Sequence, residues 1–255
     1  MTSALIPSFA QYHEDVILAA ALPSVQRGFY VDIGANDPHV DSVTKLFYLS
    51  GWRGINVEPV PRAYEALMRA RPDELNLNVA VGASSGSLTF REYPECWGLS
   101  TLRPKQHYSA LAHVDYEVKV VTLRSIFGQH VTRHVDFLKI DVEGFELQVL
   151  EGGDWTRHRP TVVCAEADDV SSTAWEGYLE ARGYIKFLFD GLNRYYMAEE
   201  SRHLLQHLGE RLRDRMQRSV RVQGEQGVLP HWEFSRLRDR TIQQEALIAR
   251  VSAAP

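Results

Sequence analysis

The chain has 255 residues, a formal net charge of −5 and 44% hydrophobic content with 10% aromatics, a profile that fits one globular α/β domain with an insertion or appendage. No apolar run approaches the roughly 20 residues that span a bilayer, and the acidic balance runs against a general nucleic-acid binder, which must neutralise phosphates. Cys96 and Cys164 lie too far apart for a disulfide framework or a Cys-based metal site, and Met1 to Ala10 lacks the features of a secretory signal, so a cytoplasmic protein with a small polar substrate is expected.

Periodicity gives alternating short apolar strands and amphipathic helices, the signature of a mainly parallel sheet covered on both faces. A helix is predicted over Phe9 to Leu22, with Phe9, Tyr12, Val16, Ile17 and Ala20 on one side. The first strand, Phe29 to Ile33, leads through a glycine-containing turn to a helix from about Asp41 to Ser50, capped by Asp41 or Ser42. A strand at Gly54 to Glu58 follows. A helix opening at Pro61 then turns Tyr64, Leu67 and Met68 inward and stops near Pro72. Leu75 to Val81 is the next strand.

From Gly82 to about Leu123 the alternation lapses into an insertion with short strands at Ser87 to Glu92 and Tyr116 to Val121. Regular order resumes with a strand at His134 to Val142, a helix at Glu143 to Leu150, a strand at Thr161 to Glu166 that buries Cys164, and a helix from about Ser172 to Ala181. The sheet closes on a hairpin, Tyr184 to Phe189 and Arg194 to Met197, around the turn formers Asp190-Gly191-Leu192-Asn193. One domain is therefore expected over residues 1–198, with its insertion at about 83–123. Residues 199–255 form a helical, arginine-rich extension. Its apolar face, Leu205, Leu208, Leu212, Met216 and Val220, needs cover from the domain or from a second copy, and a homodimer is expected from it.

The strongest local signal is Tyr30-Val31-Asp32-Ile33-Gly34-Ala35-Asn36 together with Ile55-Asn56-Val57-Glu58-Pro59. Ligands of open α/β sheets bind outside the carboxyl ends of the strands, so both segments deliver polar groups to one crevice. Gly34 lets the backbone approach a ligand, and Glu58 suits the cis hydroxyls of a ribose. A dinucleotide needs a glycine-rich turn for its pyrophosphate, and here only Gly34 precedes Asp37-Pro38. Asp32 and Asp37 would repel a pyrophosphate but suit the ammonium and sulfonium of S-adenosylmethionine.

Alternation along His134 to Val142 sends Lys139 and Asp141 to one face, with Asp141 at the carboxyl end and Glu143 in the turn beyond. Two routes to deprotonating an acceptor hydroxyl stay open. Asp141 acts as the base, or Asp141 joins Glu166, or Asp168 and Asp169, in holding a Mg²⁺-like ion. His39 is a further candidate base, with a solvent-facing loop histidine as the favoured reading.

Gln11-Tyr12-x-Glu14-Asp15, Phe29 to Pro38 (FYVDIGANDP), Gly51 to Pro59 (GWRGINVEP), Gly98-Leu99-Ser100-Thr101-Leu102 and Asp136 to Gly144 (DFLKIDVEG), in that order, resemble the FkbM family of methyltransferases. The likeness runs from about Ala10 to Met197. It implies a class I methyltransferase fold, a Rossmann-like, mostly parallel sheet with an antiparallel terminal hairpin. It also implies S-adenosylmethionine as cofactor and methyl transfer to a hydroxyl of a small molecule or glycan, such as a polyketide or sugar. Cofactor contacts are expected from Gln11, Tyr12, Asp32, Gly34, Asn36, Ser42, Glu58, Ala80, Val81 and Asp141, and catalysis from Asp141 and Glu143. His13 departs from the pattern, which has Gly there. The rival readings are a non-catalytic S-adenosylmethionine-binding or scaffolding subunit and a nicotinamide-dependent oxidoreductase of similar topology, the latter opposed by the missing glycine fingerprint. The acceptor pocket is expected from variable loops, Glu92 to Asp115 and the tail, so the motifs do not name the acceptor.

Overall fold

Alternating short apolar strands and helices are what a computed structural model shows for residues 5–167, 174–223 and 227–228, the residues it describes. The first half runs β1 (Ile6–Ser8), α1 (Glu14–Ala21), β2 (Phe29–Ile33), α2 (Lys45–Leu49), β3 (Arg53–Val57), α3 (Pro61–Ala70), β4 (Leu75–Leu77), β5 (Ala80–Val81), β6 (Gly86–Glu92) and β7 (Val114–Val121). The second runs α4 (Leu123–His130), β8 (Phe137–Ile140), α5 (Glu146–Glu151), β9 (Val162–Glu166), α6 (Ala174–Glu180), β10 (Tyr184–Phe189), β11 (Asn193–Ala198), α7 (Leu208–Arg218), β12 (Ser219–Gln223) and β13 (Gly227–Val228).

The main sheet has seven strands in the order β10-β11-β9-β8-β2-β3-β4. Strands β9, β8, β2, β3 and β4 are parallel, and β11 inserts between β9 and β10, antiparallel to both. This is the class I methyltransferase arrangement with its antiparallel terminal hairpin. Both faces are covered, so the central strands are apolar on both sides. Val31, Ile33, Ile55, Val57, Leu138, Ile140 and Val163 pack with Leu123, Ile126 and Phe127 of α4 and Val149 and Leu150 of α5. On the other face Tyr30, Phe137, Val162 and Met197 meet Ile17 and Leu18 of α1 and Phe47 of α2. No helix among the described residues is long and apolar enough to cross a membrane.

Several boundaries differ from those expected, each for a visible reason. The first helix begins at Glu14 rather than Phe9 because its own acids hold the preceding segment. Asp15 accepts from Ser8 Oγ and the Phe9 amide, both at 2.7 Å, and Glu14 accepts from the Tyr12 amide at 2.6 Å. His13 then sits at φ 62°, outside helical geometry. The second helix starts at Lys45 because Asp41 is also left-handed, at φ 52°. Met68 faces outward, 45% exposed, while Ala63 and Leu67 carry the inner face of α3. The strand expected over Leu75 to Val81 breaks at Asn78, whose amide donates to the carbonyls of Glu58 and Pro59. Its second half, β5, joins β7 and β6 of the insertion in a separate sheet. Helix α4 fills the stretch between the insertion and β8 for which no element was expected, and Thr122 caps it by accepting from the Ser125 amide at 3.1 Å.

The tail is not helical throughout. Its α7 packs on α1, with Leu205, Leu208 and Leu212 fully buried and Met216 partly so, and β12 then pairs in parallel with β1. The apolar face that suggested a second copy is thus covered within the chain. Leu212→Ala opens a cavity between α7 and the sheet, and we expect it to lower the unfolding free energy by about 2 to 5 kcal/mol, read from urea denaturation.

Candidate active site

The carboxyl ends of β2, β3 and β8 open onto a cleft with about 600 Å³ of space, part of it continuous with solvent. Gly34 and Asn36 follow β2, Glu58 follows β3, Asp141 and Glu143 follow β8, and Ala80 and Val81 form β5; all line it. The insertion supplies the cover, with Phe90, Gly98, Ser100 and Leu102 also in the lining. Thr101 ties this cover down by donating to the Glu143 carbonyl at 3.0 Å, and Lys105 pairs with the Glu143 carboxylate at 2.6 Å.

The turn after β2 is built around a close approach. Gly34 has φ +77°, and a Cβ there would lie 1.8 Å from the Asp141 backbone oxygen. Glycine at this position therefore serves the packing of two strand ends as well as ligand access. Asn36, at φ 50°, turns the chain back so that its amide donates to Glu58 Oε2 at 2.8 Å. The Val60 amide donates to Glu58 Oε1, also at 2.8 Å. Burial nevertheless dominates, raising Glu58 to about 7 against the lowering effect of these two amides and of Lys139.

Lys139 lies behind the cleft, 6% exposed. Its Nζ donates to the Gly34 carbonyl at 2.8 Å and lies 3.1 Å from Asp141 Oδ2 and 3.4 Å from Asp32 Oδ1. Burial works against its charge, but Asp141 and Asp32 outweigh it and raise its pKa above the ordinary lysine value. The Asp141 side chain is 37% exposed, open to the cleft. Carboxylate oxygens of Asp141, Glu143 and Glu166 all lie within 4.8 Å of one another.

The expected cofactor residues therefore divide. Gly34, Asn36, Glu58, Ala80, Val81 and Asp141 line one cleft, and Glu143 joins them. Asp32 is not in the lining; it is 1% exposed, pairs with Lys139 at 3.4 Å and accepts from Thr44 Oγ1 at 3.0 Å. Ser42 accepts from the buried Arg71 guanidinium at 2.7 Å and is not in the lining. Asp37 caps its own turn through the amides of His39 and Val40. Gln11 is exposed, and Tyr12 lies over the start of α1, outside the lining. Of the proposed metal ligands, Asp168 and Asp169 lie outside the described residues; Glu166 stands near Asp141, with Glu143 beside them. The sequence reading gave no role to Lys105, Thr101 or Arg71. The Gly98 to Leu102 motif and the variable loop Glu92 to Asp115 are the sequence signals for the cover.

Gly34→Ala combines left-handed strain with a backbone clash. We expect it to cost roughly 3 kcal/mol or more, seen as a large fall in melting temperature with no change in length or charge.

Comparison with known proteins places this cleft. The model of the methyltransferase FkbM domain matches residues 32–188, which contain the whole lining of the cleft, from Ile33 to Phe145. The methyltransferase sdnD of Sordaria araneosa is 30% identical over 200 residues, 65% of this chain and 76% of that protein. Among solved structures, M. capricolum TrmK in complex with S-adenosyl-homocysteine has a TM-score of 0.38 at 7% identity, covering 92% of this chain and 97% of that one. The precorrin-6y C5,15-methyltransferase of Geobacter metallireducens GS-15 has a TM-score of 0.38 at 11% identity, covering 73% and 89%. With the family model spanning more than half of the chain and all of its cleft, this protein belongs to the FkbM methyltransferase family.

Proposed function

We propose that this methyltransferase uses S-adenosylmethionine to methylate a hydroxyl of a small molecule or glycan, with Asp141 as the proton acceptor. The observation that carries this reading is the pairing, in one cleft, of a buried carboxyl at Glu58 with an open one at Asp141. The residues fit the cofactor. Glu58 has both oxygens oriented by backbone amides and keeps lone pairs for ribose hydroxyls. Val57, Val60, Val81 and Phe145 give apolar walls for a base, and the carboxylates around Asp141 suit positive charge and oppose a pyrophosphate. The cofactor supplies a methyl group activated on a sulfonium.

The raised value of Glu58 gives a pH dependence. Its contribution to stability is complete below the ordinary carboxyl range and is lost as pH rises through about 7. A ligand that donates hydroxyls to it favours the ionised form. Calorimetry is therefore expected to show S-adenosylhomocysteine binding weaken as pH falls below about 7, by up to about tenfold per unit, with no binding of NAD at any pH.

Asp141 supplies the second half of the reaction. An alcohol must lose its proton as its oxygen is alkylated, and a positioned base gives about 10² to 10⁴ in rate. A divalent ion on Asp141, Glu143 and Glu166 would serve the same end by lowering the hydroxyl pKa. However, Asp141 and Glu143 each already face a lysine ammonium, at 3.1 and 2.6 Å, so direct acceptance is the reading we take. Asp141→Asn keeps the shape and removes the charge. Across a panel of hydroxyl acceptors followed by mass spectrometry, the variant should lose about 10²-fold or more in turnover while retaining its melting temperature and S-adenosylhomocysteine affinity, and EDTA should leave the wild type unaffected. Retention of more than about a tenth of wild-type turnover would sink the assignment; inhibition by EDTA reversed by Mg²⁺ would move it to the ion. Wild-type protein that binds the cofactor but methylates nothing in the panel would favour a non-catalytic subunit.

A further inference from the structure

Lys139 occupies the middle of a parallel sheet, where apolar side chains are the rule. Burying an ammonium there is costly unless acceptors surround it. It has three protons and three oxygens at hand: the Gly34 carbonyl at 2.8 Å, Asp141 Oδ2 at 3.1 Å and Asp32 Oδ1 at 3.4 Å. The ammonium donates to the Gly34 carbonyl and pairs with both carboxylates, Asp141 the nearer, so the protein itself balances its charge. Two of those oxygens belong to residues that line the cleft, on the ends of neighbouring strands.

The third oxygen anchors the lysine from below. Asp32 lies directly opposite Lys139 in the β2–β8 register and is itself held by Thr44 Oγ1 at 3.0 Å. Thr44 accepts from Arg71 at 2.6 Å, and Arg71 also holds Ser42 at 2.7 Å and the Pro38 carbonyl at 3.3 Å. The ammonium is therefore fixed by a buried chain that also fixes the turn after β2.

We propose that Lys139 is a positioning residue for the cofactor, setting the separation between the Gly34 carbonyl and the Asp141 carboxylate. Without the ammonium the Gly34 carbonyl dipole and the Asp141 carboxylate face each other across the same gap with no donor between them, and both strand ends must move. The inference rests on S-adenosylmethionine as the cofactor, and not on Asp141 as the base.

Lys139→Met alone strands Asp32 as an unpaired buried charge and confounds position with stability. The paired variant Asp32→Asn/Lys139→Met removes both charges and leaves the net charge unchanged. We expect its melting temperature to stay close to wild type while S-adenosylhomocysteine affinity, measured by calorimetry, falls roughly tenfold or more, the scale of one charge-assisted hydrogen bond. A lysine with a merely structural role would let affinity return with the melting temperature. Should the double variant melt far below wild type, Lys139→Arg gives the same reading, since it keeps the charge beside Asp32 and alters only the donor geometry. Affinity within about twofold of wild type in the folded variant overturns the proposal alone. Failure of the wild type to bind S-adenosylhomocysteine overturns the cofactor reading and this inference with it.

Discussion

A row of polar side chains crosses the interior of the main sheet, and the rest of the structure is arranged to satisfy it. By register, Asn76, Asn56, Asp32, Lys139, Cys164 and Tyr195 stand side by side on six neighbouring strands, on the face that packs against α1 and α7. Each would be costly if left without a partner. Asn56 donates to Asn76 at 3.0 Å and to Glu74 at 2.8 Å, and accepts from Arg71 at 3.2 Å. Tyr195 donates to Asp190 at 2.7 Å, and Asn193 bridges Asp190 to Glu14. A shift of one residue in any strand would turn its member of the row to the opposite, apolar face, so the row specifies register as well as charge balance.

The site follows from where this row lies. It runs one to two residues below the carboxyl ends of the central strands, so the next residues on the chain emerge at the cleft: Gly34 after Asp32, Glu58 after Asn56, Asp141 after Lys139. Support below and function above are thus linked along each strand. Aromatic packing fixes the layer beneath. Tyr30 and Phe137 stack at 5.4 Å, and the Tyr30 ring lies so close to Gly54 that a Cβ there would sit 2.3 Å from it. The Tyr30 hydroxyl donates to Glu74 at 2.6 Å, and burial above all raises its pKa well above the ordinary value, which keeps it a donor.

Period-two and helical patterns made the central elements legible because burial on both faces leaves an unambiguous apolar signature in β2, β3, β8 and β9. The carboxyl-end rule then placed Gly34, Asn36, Glu58 and Asp141 together with no contact information. What remained hidden depends on residues far apart in sequence. Asp32 and Ser42 look like ligand contacts in a motif, and their buried pairing with Lys139 and Arg71, 107 and 29 positions away, is seen only in the fold. Helix starts were misplaced where left-handed residues such as His13, Asp41 and Glu143 interrupt an otherwise helical pattern. Nothing in their side chains announces that conformation, whereas glycine would have.

The departure at His13 shows how the tail is woven into this arrangement. A glycine would tolerate φ 62° freely, while histidine pays roughly 1 to 2 kcal/mol in local strain. The ring is 2% exposed, and burial first, then the nearby Arg221, lowers its pKa to about 4. It is therefore neutral in the folded protein near neutrality, and stability falls as pH drops from the ordinary histidine value toward about 4, where the unfolded chain takes up a proton that the buried ring does not. Arg221 belongs to β12 and also pairs with Asp41 at 2.7 Å, in the loop whose far side Arg71 holds. One arginine of the tail thus touches both the irregular start of α1 and the loop after β2. His13 is buried near Arg221 of the tail, and β12 brings that arginine there by pairing in parallel with β1.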